Sequence, residues 1–215
     1  MNKDTYHPAL RLCILDKFYD SFSLAAYHKT SFGRVIDEVI RSLDIHPGMK
    51  LLELGCGPGR LAIRNKSSHP DCDITAVDGD PKILEIARKN ARKAGVDIWF
   101  ATQDITQLKL SAQYDRIYST FVFHHLTVDG KKQALQKLAD LLKPGASLVI
   151  ADFCAAERFS DRLKFLGVQM IDGFKTTTPH REGWLEENLL QFFRYAEKKY
   201  HFSTFLGPVG IFECR

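Results

Sequence analysis

Apolar residues at helical spacing open the chain and return between shorter apolar runs. The first stretch covers residues 9–27 and the second covers residues 35–43, where Pro47 and Gly48 end the helix. Three further helices are predicted, one from about residue 59, one over residues 81–94 and one over residues 134–142. Asp80 followed by Pro81 is a favourable start for the second of these, and Gly95 is a favourable end.

Five short apolar runs have the composition of strands and lie at residues 50–54, 74–77, 98–101, 116–121 and 147–151. Strands that alternate with helices predict a parallel sheet covered on both faces. The tail adds two strand-like runs, residues 195–201 and 209–214, which we expect to form a closing antiparallel pair. Between them and the last core strand, residues 153–190 predict a helix, a mobile loop over the polar segment "KTTTPHREGW", and another helix.

The composition of the chain is typical of a globular protein. The chain has 215 residues, 45% hydrophobic and 26% charged, which predicts one domain with a packed core. No apolar run reaches the roughly 18–20 residues of a membrane span, and the start lacks a signal peptide's apolar stretch, so a cytoplasmic location is predicted. The five cysteines form no C-x-x-C pair. The net charge of +4 comes from interleaved charges, which disfavours a nucleic-acid substrate.

The segment "LELGCGPGR" places glycines at 55, 57 and 59 directly after an apolar strand. Bare backbone at the carboxyl edge of a parallel sheet suits a ligand, although a tight turn alone is the alternative. A dinucleotide fingerprint needs its third glycine at position 60, where Arg60 stands, and no P-loop lysine follows. Glu53 would repel a phosphate, whereas a ligand with an ammonium or sulfonium group would offset its buried charge.

Several motifs resemble those of the class I S-adenosylmethionine-dependent methyltransferases. "LLELGCGPGRLA" is similar to that family's first motif, "AVDGDP" to the second and "ATQDIT" to the segment after the third strand. "YDRIYSTFVFHHL" and "LADLLKPGASLVIADF" resemble the fourth-strand motif and the helix and strand that follow. The resemblance covers residues 48–153. The chain most closely resembles the branch with the ubiquinone and menaquinone C-methyltransferases. One departure is Ala146, where the family usually has a second glycine.

The resemblance implies an α/β fold with a Rossmann-like, doubly wound, seven-stranded sheet, mostly parallel with a C-terminal antiparallel strand, plus N-terminal helices and a lid segment. It implies one methyltransferase domain, divided into a helical lid (1–45), a cofactor-binding core (48–152), a lid or acceptor insertion (153–190) and a strand pair (191–215). The implied cofactor is S-adenosyl-L-methionine, with S-adenosyl-L-homocysteine as product. Asp78 would bind the ribose, Asp104 the adenine amino group, and the Ser119 backbone the methionine amino group. The full set of implied cofactor residues is Tyr19, Glu53, Gly55, Cys56, Gly57, Gly59, Asp78, Gly79, Asp104, Ile105 and Ser119.

Candidate catalytic residues follow the fourth and fifth strands. His124, His125 and Asp152 stand at strand ends where they would face the transferred methyl group, and a base is needed only if the acceptor must lose a proton. Structural alternatives remain open, because such histidines also stack on rings or cap helices and Asp152 would also orient a loop. No metal is predicted, since the two histidines are adjacent in sequence and no third ligand is visible.

The acceptor is expected to be a small molecule, aromatic or quinone-like, because the predicted lid segments are rich in aromatic residues. They comprise Tyr6, Phe18, Tyr19, Phe22, Tyr27, Phe32, Phe159, Phe165, Phe174 and Trp184, and His180 is a further pocket candidate. A lipid or quinone acceptor would imply peripheral membrane contact. A protein or RNA methyltransferase with an open basic groove is the alternative, and a non-catalytic cofactor-binding partner subunit is a third hypothesis. The oligomeric state is left open.

Overall fold

A seven-stranded sheet in the order β3-β2-β1-β4-β5-β7-β6 forms the centre of the computed structural model, which describes residues 31–215. The strands are β1 (Lys50–Leu54), β2 (Asp73–Asp78), β3 (Trp99–Thr102), β4 (Tyr114–Thr120), β5 (Leu142–Phe153), β6 (Ala196–Thr204) and β7 (Gly207–Cys214). Strands β1 to β5 pair in parallel, and β7 is antiparallel to both β5 and β6. The predicted fold class, including the antiparallel pair at the tail, is confirmed.

Seven helices of five or more residues lie within the described part of the chain. They are α1 (Ser31–Leu43), α2 (Arg60–Ser68), α3 (Pro81–Ala94), α4 (Val128–Leu141), α5 (Phe159–Asp172), α6 (Phe174–Arg181) and α7 (Trp184–Asn188). Helix α3 begins and ends as its sequence predicts, because the Asp80 side chain accepts from the Lys82 amide and Gly95 ends the helix with φ 67°. The predicted helix over residues 9–27 lies outside the described residues. None of the described helices is long and apolar enough to cross a membrane.

Alternation along the buried strands sends side chains into a separate core on each face of the sheet. Leu51 of β1 packs with apolar residues of α1, α2, α3 and α5, whereas Leu52 and Leu54 pack with α4 and α7 on the opposite face. Each fully buried leucine contributes about 1.5–3 kcal/mol relative to an exposed one. This two-sided burial explains why β1 reads as an almost continuous apolar run, and why a carboxylate inside it, at Glu53, is unusual.

The polar segment over residues 175–184 is not the mobile loop that its composition predicts. Most of it belongs to α6, which lies between two breaks at Gly173 (φ 90°) and Gly183 (φ 87°). Thr176 and Thr177 are fully buried, and their hydroxyls donate to the carbonyls of residues 172 and 173. Local satisfaction of these hydroxyls lets a polar sequence form a buried helix, so composition alone was misleading.

The strand before the tail is also longer than its apolar run. Residues 147–151 form the centre of β5, and the strand extends back to Leu142, which pairs with Tyr114 across a register shift. Pro144 and Gly145 therefore lie within the irregular start of β5. The carboxyl ends of β1, β2, β4 and β5 meet at one edge of the sheet, and the β6–β7 turn reaches the same edge because Phe153 pairs with Val209. This edge is where ligands of open α/β sheets bind.

Candidate cofactor and acceptor site

The glycine loop after β1 is built from three positive backbone angles. Gly55, Gly57 and Gly59 have φ values of 69°, 51° and 78°, and the amides of residues 55 and 56 donate to the Val77 carbonyl at 2.8 and 2.9 Å. Glycine adopts such angles without the steric cost that a Cβ brings. The loop is therefore tied to β2 by its own backbone, and Cys56 is buried within it.

Space around the three glycines differs. A Cβ at Gly55 would overlap the Val122 side chain, and one at Gly59 would lie 3.1 Å from the Ala87 Cβ and 3.2 Å from the Phe100 ring. A Cβ at Gly57 would meet nothing nearer than an Ile83 methyl group at 4.0 Å. Protein packing thus explains two of the glycines, and only Gly57 presents open backbone to a ligand.

Glu53 is 2% exposed, at the end of β1 and beneath the start of α2. Its carboxyl group accepts from the Tyr118 hydroxyl at 3.3 Å and from the Ala62 backbone amide. Burial raises the pKa of Glu53 to about 8, although both hydrogen bonds favour the ionised form. A cationic ligand group beside this carboxyl would favour its ionised form and lower that pKa.

Asp78 ends β2 and holds the adjoining turns in place. Its Oδ2 accepts from the Gly57 amide at 2.9 Å and its Oδ1 accepts from the Asp80 amide at 3.0 Å, across the turn at Gly79. Burial raises the pKa of Asp78, while these backbone amides act in the opposite direction. A carboxylate has about four acceptor positions, and the backbone amides of residues 57, 79 and 80 use up to three of them, so at least one remains for a ligand hydroxyl.

The remaining predicted cofactor residues surround the ends of β3 and β4. Asp104 accepts from the Thr106 amide at 3.0 Å and the Thr106 hydroxyl at 2.8 Å, and so caps the short helix that begins at Ile105. Ser119 is fully buried and its hydroxyl donates to the Leu54 carbonyl at 3.2 Å. Each of these side chains thus has a structural role within the protein. Tyr19 lies outside the described residues.

Asp152, at the end of β5, is fully buried and organises the segment after β4. Its Oδ2 accepts from the backbone amides of Val122 at 3.0 Å and Phe123 at 2.7 Å, and its Oδ1 accepts from the His124 Nδ1 at 2.7 Å. Burial alone would raise the pKa of Asp152, but His124, His180 and the Phe153 backbone amide hold it well below its usual range. The predicted catalytic pair is therefore in direct contact.

The two adjacent histidines have opposite charge preferences. Burial disfavours the charged form of His124, yet Asp152 and Asp172 outweigh it and raise the pKa of His124 to about 9. Burial and the neighbouring His124 charge hold the pKa of His125 well below its usual range. These shifts favour a charged His124 and a neutral His125, and the catalytic roles predicted for the two residues stay predictions. The His125 Nδ1 is buried and has no hydrogen-bond partner among the described residues.

Residues 51–145 match the family described as methyltransferase domain. Four of the five motifs that carry the sequence resemblance fall within the matched residues, and the fifth, residues 138–153, begins within them. This part of the chain, less than half of its length, is therefore similar to a methyltransferase domain. The predicted enzyme class and its cofactor, S-adenosylmethionine, are thereby confirmed at the level of the family, and the ubiquinone and menaquinone branch is not.

Relatives of this methyltransferase domain differ in their acceptors. The malonyl-[acyl-carrier protein] O-methyltransferase of Anoxybacillus flavithermus (strain DSM 21510 / WK1) is 33% identical over 109 residues, which are 51% of this chain and 40% of that protein. The tRNA N(3)-methylcytidine methyltransferase of Schizosaccharomyces pombe (strain 972 / ATCC 24843) is 25% identical over 198 residues, 84% of this chain and 77% of that protein. The chain spans less than half the length of the first curated relatives that it matches.

A solved structure shares the fold over most of both chains. The N-methyltransferase NodS from Bradyrhizobium japonicum WM9, in complex with S-adenosylhomocysteine, superposes with a TM-score of 0.65 at 18% identity, covering 87% of this chain and 89% of that one. This likeness shows the arrangement of strands and helices in the methyltransferase domain.

Aromatic rings form a continuous row beside the histidines of the methyltransferase domain. The aromatic row comprises Phe32, Phe121, Phe153 and Phe165, with ring centroids 5.3, 5.6 and 5.0 Å apart in that order. His124 contacts the Phe153 ring at 5.0 Å. Phe121 has φ 56°, an uncommon angle for a bulky residue, which sequence patterns did not indicate.

The predicted lid aromatics do not all line one pocket. Phe165 is fully buried in the core, whereas Phe159 and Phe174 are 82% and 53% exposed. Trp184 packs against the opposite core. Their helices place them on different sides, so aromatic content did not define the pocket. The other N-terminal aromatics that the lid prediction includes, Tyr6, Phe18, Phe22 and Tyr27, lie outside the described residues.

Two charged residues near the site, one buried and one partly exposed, carry no motif. Lys131 of α4 is fully buried, donates to the carbonyls of Leu126 and Thr176, and has its pKa lowered by burial to about 7. Asp172, at the end of α5, lies beside both histidines. The predicted pocket residue His180 is instead fully buried, and its Nδ1 lies 2.9 Å from the Phe153 carbonyl. Only three-dimensional packing brings these residues to the site.

Proposed function

We propose that this chain transfers a methyl group from S-adenosylmethionine to a small aromatic or quinone-like acceptor. The observation that carries the proposal is a single edge of the sheet that presents the Gly57 backbone, the carboxyl groups of Glu53 and Asp78, and the His124–Asp152 pair. In this proposal the cofactor lies against Gly57 and Asp78, and the acceptor approaches from the side of Phe121 and His124.

The residues present fit the cofactor. S-adenosylmethionine has an ammonium group, vicinal ribose hydroxyls and no phosphate. The buried Glu53 carboxyl suits the cationic methionine end, and the unused acceptor capacity of Asp78 suits a ribose hydroxyl. Open space before Gly57 admits the ligand to within contact of the backbone. Asp104 and Ile105, which follow β3, are proposed to contact the adenine.

When bound, S-adenosylmethionine supplies an electrophilic methyl group on a sulfonium sulfur. The chain's own contribution is placement: a nucleophile held at about 3–3.5 Å and in line supplies much of the rate. The aromatic row excludes water from the edge, and Asp152 fixes the segment that carries both histidines. His124 donates a proton or hydrogen bond, and His125 supplies a neutral lone pair at Nδ1.

Ring-lined surroundings favour an apolar, flat acceptor, because aromatic side chains bury such surfaces well and interact with a nearby cation. The ubiquinone and menaquinone C-methyltransferase branch is therefore the proposed branch, with a quinol as the probe acceptor. Such an acceptor would bring the chain into peripheral contact with a membrane. The cytoplasmic location predicted from the sequence is likewise a proposal.

RNA methylation is the second candidate function, and one observation favours it. The tRNA methyltransferase relative aligns over 84% of this chain, more than the malonyl-[acyl-carrier protein] relative does. An RNA substrate requires several phosphate contacts and a strong salt dependence. Activity on tRNA that falls steeply between low and moderate salt would replace the small-molecule proposal.

The experiment is a methyl-transfer assay with quinols, phenols, amines and tRNA. The production of S-adenosylhomocysteine and the mass of the methylated product are measured. His125→Gln is the test variant and His46→Ala, an exposed histidine paired with Asp44, is the matched control. We expect turnover of a ring acceptor that the control retains and the test variant loses by at least about 100-fold, the scale of acid–base catalysis. Cofactor binding without turnover of any acceptor would support a non-catalytic partner subunit instead.

A further inference from the structure

Three metal-ligating side chains converge beside the end of β4. His124 and His125 come from the three-residue helix Phe123–His125, and Asp172 comes from the end of α5. The His124 Nε2 lies 3.6 Å from the Asp172 Oδ2, and the His125 Nδ1 lies 3.9 Å from the Asp172 Oδ1. One ligand atom from each of the three residues lies within 4.8 Å of the other two.

Hydrogen bonding orients His124 as a ligand. Its Nδ1 is bound to the fully buried Asp152 at 2.7 Å, which leaves Nε2 directed toward Asp172. A carboxylate that holds one imidazole nitrogen while the other faces a metal is the recurrent outer-shell arrangement of histidine ligands. Asp152 thus provides the support that a metal-binding His124 requires, and the metal replaces the proton that the His124 Nε2 carries in the metal-free protein.

His125 provides independent evidence. Its side chain is 11% exposed, and its Nδ1 has no hydrogen-bond partner among the described residues. A buried nitrogen left without a partner is unfavourable by about 1–3 kcal/mol. A cation between this nitrogen and the Asp172 carboxylate would satisfy both groups at once.

We propose that the His124 Nε2, the His125 Nδ1 and the Asp172 carboxylate bind one divalent transition-metal ion. The sequence argument against a metal was the missing third ligand, and Asp172 supplies it from a distant segment of the chain. Two imidazole nitrogens and one carboxylate oxygen suit Zn²⁺, Co²⁺, Fe²⁺ or Mn²⁺. With such an ion bound to two neutral imidazoles, the carboxylates of Asp152 and Asp172 balance its double positive charge.

The separations are close to those that such an ion requires. Metal–ligand distances of about 2.0–2.2 Å place ligand atoms about 3.3–3.6 Å apart around a tetrahedral ion, so ligand atoms that now lie within 4.8 Å of one another approach by at most about 1.5 Å. Three protein ligands leave a position open for water or an acceptor oxygen, which is the pattern of catalytic sites. With the ion bound, His125 acts as a ligand. The inference does not depend on methyl transfer, because the ion is bound by the protein alone.

The test is metal binding by the full chain after chelator treatment and dialysis, with Co²⁺ as the probe. Visible absorption and calorimetry report the ligand field and the stoichiometry. Asp172→Asn and His125→Ala are the test variants, and His46→Ala is the matched control because His46 also lies beside a carboxylate, Asp44, at 3.3 Å. We expect one Co²⁺ per chain in the wild type and the control, and affinity lowered by more than about 10–100-fold in both test variants, since loss of an outer-shell partner alone has that effect.

Asn has the same shape as Asp, and the Asp172 side chain is 14% exposed, so we expect Asp172→Asn to preserve the fold. This variant therefore provides the decisive comparison even if His125→Ala unfolds. Circular dichroism checks each variant. The absence of stoichiometric Co²⁺ binding by folded wild-type protein would overturn the proposal, as would binding that Asp172→Asn leaves unchanged. Either result would assign the three side chains to a charge cluster that joins α5 to the end of β4.

Discussion

Replacing single glycines by alanine separates the residue that faces the cofactor from the residues that only shape the loop. Gly57→Ala adds a methyl group to open space, and Gly55→Ala adds the same group against Val122. Both positions have positive φ, 51° and 69°. The two substitutions are therefore chemically identical and differ in what surrounds the new atom.

The structure gives the expected sizes. A Cβ in the left-handed region costs about 1–2 kcal/mol, partly offset by about 0.4–1 kcal/mol from the stiffer unfolded chain, so Gly57→Ala should lower the unfolding free energy by about 1 kcal/mol. Gly55→Ala adds an overpacking cost of about 1–3 kcal/mol. At about 2–4 °C per kcal/mol, Tm should fall by about 2–4 °C for Gly57→Ala and by about 5–15 °C for Gly55→Ala.

Cofactor binding should follow the opposite order. Gly57→Ala places its methyl group where the ligand would contact the backbone, so we expect S-adenosylhomocysteine affinity to fall at least tenfold in a well-folded protein. Differential scanning fluorimetry gives Tm, and isothermal calorimetry at a temperature where both variants are folded gives affinity. Unchanged affinity in Gly57→Ala, or a larger loss of stability there than in Gly55→Ala, would refute the assignment of Gly57 to the ligand.

Three further predictions concern buried ionisable groups. Glu53 has a pKa of about 8 in the folded chain against an ordinary value of 4.5, so between these pH values the folded chain holds a proton that the unfolded chain releases. The unfolding free energy of the wild type relative to Glu53→Gln should therefore decline as pH rises from about 4.5 to 8, and a difference that stays constant over this range in denaturant titrations would disprove this. Asp152→Asn removes the partner of a buried cation and should lower the unfolding free energy by about 3–5 kcal/mol. Because the pKa of His124 is about 9 against 6.5 ordinarily, that deficit should be full below pH 6.5 and shrink as pH rises through 9, as calorimetric scans at several pH values would reveal. Lys131 has a pKa of about 7 against 10.5, so wild-type stability should rise relative to Lys131→Met between pH 7 and 10.5, and urea titrations that show no such trend would contradict its burial as a neutral amine.

Local patterns were sufficient for the framework of the fold. Alternating strands and helices predicted the parallel sheet, and the Asp80, Pro81 and Gly95 signals matched the ends of α3 because capping depends on neighbouring residues alone. The glycine spacing with Glu53 predicted a ligand site in the loop after β1, and this stays a prediction. It did not distinguish Gly57 from Gly55, because the neighbours that exclude a side chain come from the segment after β4.

Long-range packing decided what the sequence could not predict. Asp172 and Lys131 approach the histidines from separate helices, and no spacing rule relates those helices to residues 124 and 125. The helix α6 was missed because buried threonines satisfy their hydroxyls within the helix, which a polar sequence does not reveal. The charge of His124 likewise depends on Asp152 at the end of the neighbouring strand.

Calorimetric titration with S-adenosylhomocysteine tests the central claim most directly, using the wild type, Asp78→Ala and Asp73→Ala. Asp73 and Asp78 stand at opposite ends of the same strand, so the first is a matched control for the second. The account predicts one micromolar site in the wild type and in Asp73→Ala, and its loss in folded Asp78→Ala. No binding by folded wild-type protein, or binding that Asp78→Ala leaves intact, would contradict a cofactor site at the carboxyl edge of the sheet.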